Sequence, residues 1–219
     1  MDFRKIIREE LRFLFEDSRN INNNFWIWFG DSKVVDNNGP MVLYHGSNGS
    51  FDAFDTKMIR YVGNNGDGFY FSPDAHESQR YGSNVREFYL KIENPISPGN
   101  KNLTKQDYKS IIDYIWNNTE YRDDLKNYGY FDDKDFPMFR DKLAEDLSKK
   151  DDYSALFDLT HSSIGSIREL SNIIEKTSGI KYDGVISPVF REYVAFYPNQ
   201  IKSINNDGTW DSSDDNVFS

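Results

Sequence analysis

The feature that most constrains this chain is a change of hydrophobic period part-way along it, followed by a change back. Over the first 96 residues the apolar side chains come in short runs broken by turn signals: 25–29 (FWIWF), 41–44 (MVLY), 69–71 (FYF), then Phe88, Leu90 and Ile92 alternating with Tyr89 and Lys91. Compact or alternating runs bounded by Asn, Gly and Pro read as strands, with 25–29 a strand or buried turn. From Leu103 to Ser178 the spacing becomes three-and-four, as in Tyr108, Ile111, Ile112 and Ile115, which is the period of a helix face. Thr104 with Asp107, and Ser166 with Glu169, have the pattern of capped helix starts, and Gly179 has that of a stop. Residues 182–186 and 192–196 then return to strand-like sequence, joined by a turn holding Ser187 and Pro188. Strands, then helices, then strands predict an α+β domain whose sheet is completed by segments far apart in sequence. The expectation is one domain over 1–219, with 103–178 as a mostly helical insert.

Smaller elements fit around that frame. Residues 1–17 place Phe3, Ile6, Ile7, Leu11, Leu14 and Phe15 on one side of an amphipathic helix. Its apolar face must be covered, by the domain itself or by a partner. Residues 63–68 form a glycine-rich loop, 72–81 read as a helix with Ser72 as N-cap, and the acidic tail 207–219 is expected to fray.

Charge and composition narrow the function classes. The chain carries 26 Lys and Arg against 36 Asp and Glu, a formal net charge of −10. Residues 1–95 hold 11 basic and 14 acidic side chains and residues 96–219 hold 15 and 22, so neither part resembles a surface for coating a polyanion. No apolar run approaches the roughly 20 residues that span a bilayer, and the N-terminus does not read as a secretory signal. The expectation is a cytoplasmic protein that uses no membrane. With no cysteine and with His45, His76 and His161 scattered, no metal-binding pattern is present. The glycine loop lacks the Lys-Ser/Thr ending of a phosphate-binding loop, and no Gly-x-Ser-x-Gly elbow occurs.

Three separated strings remain: YHGS at 44–47, GFYFSPDAHESQRY at 68–81 and EYVAFYPNQIKS at 192–203. Together, and in this order, they resemble the ADP-ribosyltransferase superfamily, in its His-Tyr-Glu branch of diphtheria-toxin-like and poly(ADP-ribose) polymerase-like enzymes. The frame WFGDSKVVDNNGPMVLYHGS followed by FDAFD resembles the transferase domains of polyvalent proteins of phages and mobile elements. The resemblance covers residues 26–96 and 182–204. It implies a split β-sheet core, NAD as cosubstrate and no metal. It also implies roles by position: His45 on the adenosine-side ribose, Gly46 pairing its backbone with the nicotinamide carboxamide, Ser47 in support, Tyr81 stacking on nicotinamide, Tyr70 as a second aromatic wall, Ser78 reaching the amide, and Glu192 as the catalytic carboxylate. Phe190 and Arg191 would face the acceptor. Arginine-modifying relatives carry a second Glu where this chain has Phe190, so arginine is not the favoured acceptor.

Each residue also has a plainer reading. Tyr70 and Tyr81 suit an aromatic core, Ser78 a helix cap, Glu192 a surface ion pair with Arg191, and His45 a satisfied polar residue. The function implied is mono-ADP-ribosylation of a macromolecule, protein ahead of RNA or DNA, in phage–bacterium or toxin conflict. The alternatives are an NAD glycohydrolase, or an inactive NAD-pocket or virion-associated module whose first helix docks to a partner such as an antitoxin.

Overall fold

The structure, a computed structural model of the chain, describes residues 21–59 and 65–219. The expected first helix, 1–17, and the start of the glycine loop lie outside the described residues. In chain order the elements are α1 (Asn23–Phe29), β1 (Val35–Asp36), β2 (Gly39–Pro40), β3 (Leu43–Ser47), β4 (Phe69–Phe71), α2 (Ala75–Ser78) continued by a 3-10 turn (Gln79–Tyr81), β5 (Asn84–Leu90) and β6 (Pro95–Ile96). The helices α3 (Lys105–Asn118), α4 (Arg122–Gly129), α5 (Phe136–Ser148), α6 (Asp152–Leu159) and α7 (Ile167–Ser178) follow, and then β7 (Gly184–Ser187), β8 (Glu192–Ala195) and β9 (Ile201–Ser203). The fold class is α+β. The chain divides into two compact units: one takes the residues up to Ile59 with Gly68–Pro95 and Pro188–Ser219, the other the segment ending at Asp67 with Ile96–Ser187.

The first unit holds the split sheet. β3, β5 and β9 form an antiparallel three-stranded sheet in that order, and β4 pairs antiparallel with β8. A bridge between Tyr44 and Ser72 joins the ends of β3 and β4, with Tyr44 N to Ser72 O at 2.8 Å and the reverse bond at 3.0 Å. Phe88, Tyr89 and Leu90 of β5 are all buried, so both faces of this strand are covered. Phe88 faces a ring cluster with Phe54, Phe71 and His45, while Tyr89 meets Phe25 of α1 and Trp210.

Residues 25–29 form a helix rather than the expected strand or buried turn. The Asn22 side chain accepts from Phe25 N, Gly30 closes the helix at φ 55°, and Phe25, Trp28 and Phe29 fall on one buried side. Aromatic β-propensity is a measure of packing context, and here the end signals decide. The segment 72–81 starts its helix later than expected, at Asp74, whose side chain accepts from His76 N, because Pro73 disfavours helical backbone at Ser72.

Residues 207–219 are not frayed. Trp210 and Val217 are buried, Ser203 N donates to Val217 O (2.8 Å), Asp207 N to Phe218 O (2.8 Å), and Val217 N to Asp52 O (2.7 Å). Composition marked this segment as solvated, but its two apolar anchors and its ladder-like hydrogen bonds fix it.

The second unit is helical, as the spacing predicts. The capping box at Thr104 and Asp107 is formed, Ser166 caps α7 at Glu169 N, and Gly179 ends α7 at φ 75°. At its centre the fully buried Asp152 carboxylate accepts from Asn102 N (2.6 Å), Leu103 N (3.3 Å), Tyr108 OH (3.2 Å) and Tyr182 OH (2.9 Å). A charge out of water is tolerated when its lone pairs are met in this way.

Candidate functional site

β3 brings His45 to the seam of the split sheet. Its Nδ1 lies 2.8 Å from the Tyr70 carbonyl on β4. A carbonyl only accepts, so Nδ1 carries the proton and the neutral ring presents Nε2 as an acceptor. The environment favours that form. Burial is the main cause holding the imidazole below its ordinary value; the Tyr70 carbonyl opposes this and the Arg86 charge adds to it. Phe51, Phe54, Phe71 and Phe88 surround the ring at centroid distances of 5.0 to 6.4 Å.

The register of β4 on β8 places the other strand ends. Tyr70 lies opposite Val194 and Phe71 opposite Tyr193, the residue that follows Glu192. Because Ser72 is bridged to Tyr44, His45, Tyr70 and Glu192 stand on three neighbouring strand ends. Glu192 and Tyr70 are half-buried. Before Glu192 the chain turns tightly, with Arg191 N donating to Pro188 O (3.3 Å) and Arg191 at φ 53°, in the left-handed region that non-glycine residues seldom adopt. Val189 and Phe190 stand out into solvent, and the Arg191 guanidinium is 3.8 Å from the Asp74 carboxylate. That exposed ion pair adds little stability, but it relates the turn to the start of α2.

Gly46 and Ser78 meet in a way the sequence does not announce. A Cβ on Gly46 would overlap the Ser78 carbonyl oxygen and lie 2.8 Å from its carbonyl carbon. A Cβ on Gly82 would lie 2.6 Å from Ser47 Cα. The two glycines therefore let α2 and its 3-10 turn cross directly over β3. Ser78 is buried and its hydroxyl donates to Tyr44 O (3.0 Å), on the strand carrying His45. Ser47 Oγ likewise donates to Gly49 O (2.8 Å). Tyr81 closes the 3-10 turn with 69% of its surface exposed, an aromatic face available for stacking.

Gly82, Arg86 and the Phe51–Phe54 pair, which border the candidate site, were passed over by single-residue reasoning. Their signals were present in FDAFD after YHGS and in a glycine following Tyr81. Arg86 lies opposite His45 on β5, donates from Nη1 to Phe51 O (2.8 Å) and stacks 4.0 Å over the Phe51 ring. Its Nε and Nη2 are buried without a hydrogen-bond partner among the described residues.

Among the described residues no group of three or more His, Asp and Glu is spaced to hold a metal ion, and no helix is long and apolar enough to cross a membrane. A concave surface lined by Lys126, Tyr130, Phe131, Met138, Phe139 and Lys142 belongs to the helical unit and contains none of the site residues. Taken singly, these residues offer an acceptor nitrogen at His45, an exposed ring at Tyr81 and a half-buried carboxylate at Glu192.

No curated protein matches the chain. Among solved structures, the crystal structure of an anti-CRISPR protein is similar at 14% identity over 74% of this chain and 91% of that one, with a TM-score of 0.29, too loose a superposition to bear on fold. A family model described as ADP-ribosyltransferase in polyvalent proteins matches residues 36–210, a span that takes in β3 with His45, the 68–81 segment and Glu192. The chain belongs to that family of ADP-ribosyltransferases.

Proposed function

We propose that this chain is an NAD-dependent mono-ADP-ribosyltransferase acting on a macromolecule, protein ahead of RNA or DNA, in the cytoplasm of a bacterium during phage or toxin conflict. The observation that supports the reading is the seam itself: the His45 to Tyr70 hydrogen bond, the Tyr44–Ser72 bridge and the β4–β8 register make neighbours of the strands that carry the three distant strings. NAD, when bound, supplies the ADP-ribosyl group and, in nicotinamide, a leaving group that is already cationic. Glu192 accepts from the hydroxyl of the adjoining ribose and stabilises the positive charge that develops as the glycosidic bond lengthens. In this reading its carboxylate also orients or deprotonates the acceptor. His45 Nε2 accepts from the other ribose, and Tyr81 stacks on the flat ring with Tyr70 behind it. Phe190 and Arg191, on the exposed turn before Glu192, face the incoming acceptor.

The test is incubation of the purified chain with labelled NAD and separated protein and nucleic-acid fractions of a bacterial lysate, following nicotinamide release and label transfer. Glu192→Gln is expected to lower transfer about a hundred- to a thousandfold, the effect of removing one transition-state electrostatic contact. Nicotinamide release without transfer to either fraction would make water the acceptor, and no turnover at all would refute the enzymatic reading.

A further inference from the structure

A lysine sits where the fold has no evident need of a charge. Lys202, in the middle of β9, is fully buried, and burial pulls its pKa down while the charges of Asp214, Asp211, Asp215 and Asp207 pull it up. Its ammonium donates to Asp214 O (2.9 Å), Asn216 O (2.7 Å) and Ser219 Oγ (3.2 Å), so all three protons are directed at residues 214–219. This is the same stretch that holds the loop before β4. Val217 N donates to Asp52 O (2.7 Å) and Ala53 bridges Asn216. On either side of these two anchors stand Phe51 and Phe54, whose rings pack on His45 at 6.1 and 5.0 Å and on each other at 4.8 Å.

We propose that Lys202 is a positioning residue for His45: by pinning residues 214–219 to β9 it holds the 51–54 loop, and through Phe51 and Phe54 it fixes the imidazole on the Tyr70 carbonyl. The chemical role assigned to that imidazole rests on the reading given under Proposed function; the positional claim does not. Methionine at 202 fills similar space but donates nothing, whereas arginine keeps the charge in a planar fork that does not match three converging acceptors.

The experiment compares wild type, Lys202→Met and Lys202→Arg by nitrogen-15 NMR of histidine-labelled full chain, with His45→Gln to assign the His45 signals. The groups acting on the His45 ring are the Arg86 charge on β5 and the Tyr70 carbonyl on β4, with the Asp52 charge acting in turn on Arg86, and neither substitution replaces any of them. If Lys202 acts as proposed, its variants loosen the Phe51–Phe54 cage, and the His45 midpoint moves up toward the ordinary imidazole value of about 6.5. The tautomer signature of a protonated Nδ1 weakens in parallel. NAD turnover is expected to fall roughly ten- to a hundredfold in kcat/KM, as for a displaced catalytic group. A Lys202→Arg variant that folds, shows faster hydrogen exchange at Val217 and leaves the His45 signals unmoved overturns the proposal, whether or not Lys202→Met folds. An inactive wild type would refute the proposed function, while the NMR comparison would still decide the positioning claim.

Discussion

Replacing Gly46 with alanine separates two reasons for a glycine beside His45. The family resemblance gives Gly46 a ligand role, with its backbone close to nicotinamide; the packing gives it a structural one. An alanine Cβ would overlap the Ser78 carbonyl oxygen and lie 2.8 Å from the carbonyl carbon, and both are backbone atoms that no rotamer change can move aside. Restoring ordinary contact at about 3.5 Å requires α2 to lift from β3. Overpacking of this kind costs about 1–3 kcal/mol. Lifting α2 also breaks the bond from buried Ser78 Oγ to Tyr44 O, worth about 1 kcal/mol more. The sum is about 2–4 kcal/mol, and at roughly 2–4 °C per kcal/mol for a chain of this size the melting temperature falls by about 10 °C. Calorimetry of the ligand-free protein reads this directly. Gly49→Ala is the matched control, since a Cβ there meets nothing within 4 Å. A Gly46→Ala protein melting within about 2 °C of wild type would refute the packing argument and leave only the approach of a ligand to explain the glycine.

Two further outcomes follow from buried ionisable groups. Asp152→Ala leaves two backbone N–H groups and the hydroxyls of Tyr108 and Tyr182 without their acceptor, so urea unfolding should show the helical unit destabilised by about 3–5 kcal/mol; a loss below 1 kcal/mol would contradict the network. Because His45 titrates below its ordinary value of 6.5 in the fold, the unfolded chain takes up its proton first as pH falls. The stability linked to its neutral form is complete above about pH 6.5 and declines toward the lower folded midpoint, so the slope of stability against pH in that window should flatten in His45→Gln.

What the sequence disclosed depended on whether a signal was local. Helix ends in the second unit were legible because a cap is a contact between residues three or four apart, as Thr104 with Asp107 and Ser166 with Glu169 illustrate. The 25–29 helix reads from sequence as a strand or buried turn because its residues are strand formers by composition, and the Asn22 cap and the burial of Phe25, Trp28 and Phe29 against Tyr89 and Trp210 make it a helix. The segment 207–219 was read from its charge, and what orders it is the burial of Trp210 and Val217, backbone hydrogen bonds to Asp52 and Ser203, and the Lys202 ammonium of β9. The site strings were visible, but the seam that joins them was not. No local pattern encodes that Ser72 bridges Tyr44, that Gly46 and Gly82 admit a backbone crossing, or that Arg86 stands across from His45. These are pairings between segments tens of residues apart, decided when the sheet closes.

The unusual composition of the chain bears directly on the chemistry of its site. Aromatic residues make up 16% of the sequence, and several of them are the walls around His45. Rings desolvate an imidazole without offering it a carboxylate, so the cost of charging the ring is left uncompensated and the neutral form is favoured. The strong polar partner among the described residues, the Tyr70 carbonyl, then fixes which nitrogen keeps the proton. An aspartate in place of that carbonyl would also orient the ring, but it would stabilise the imidazolium and convert Nε2 from acceptor to donor. For the role proposed for His45, accepting from a ribose hydroxyl, a strand carbonyl and phenylalanines therefore serve better than a charged dyad. Arg86, stacked on Phe51 across the strand pair, acts in the same direction by adding positive charge beside a ring that is to stay neutral.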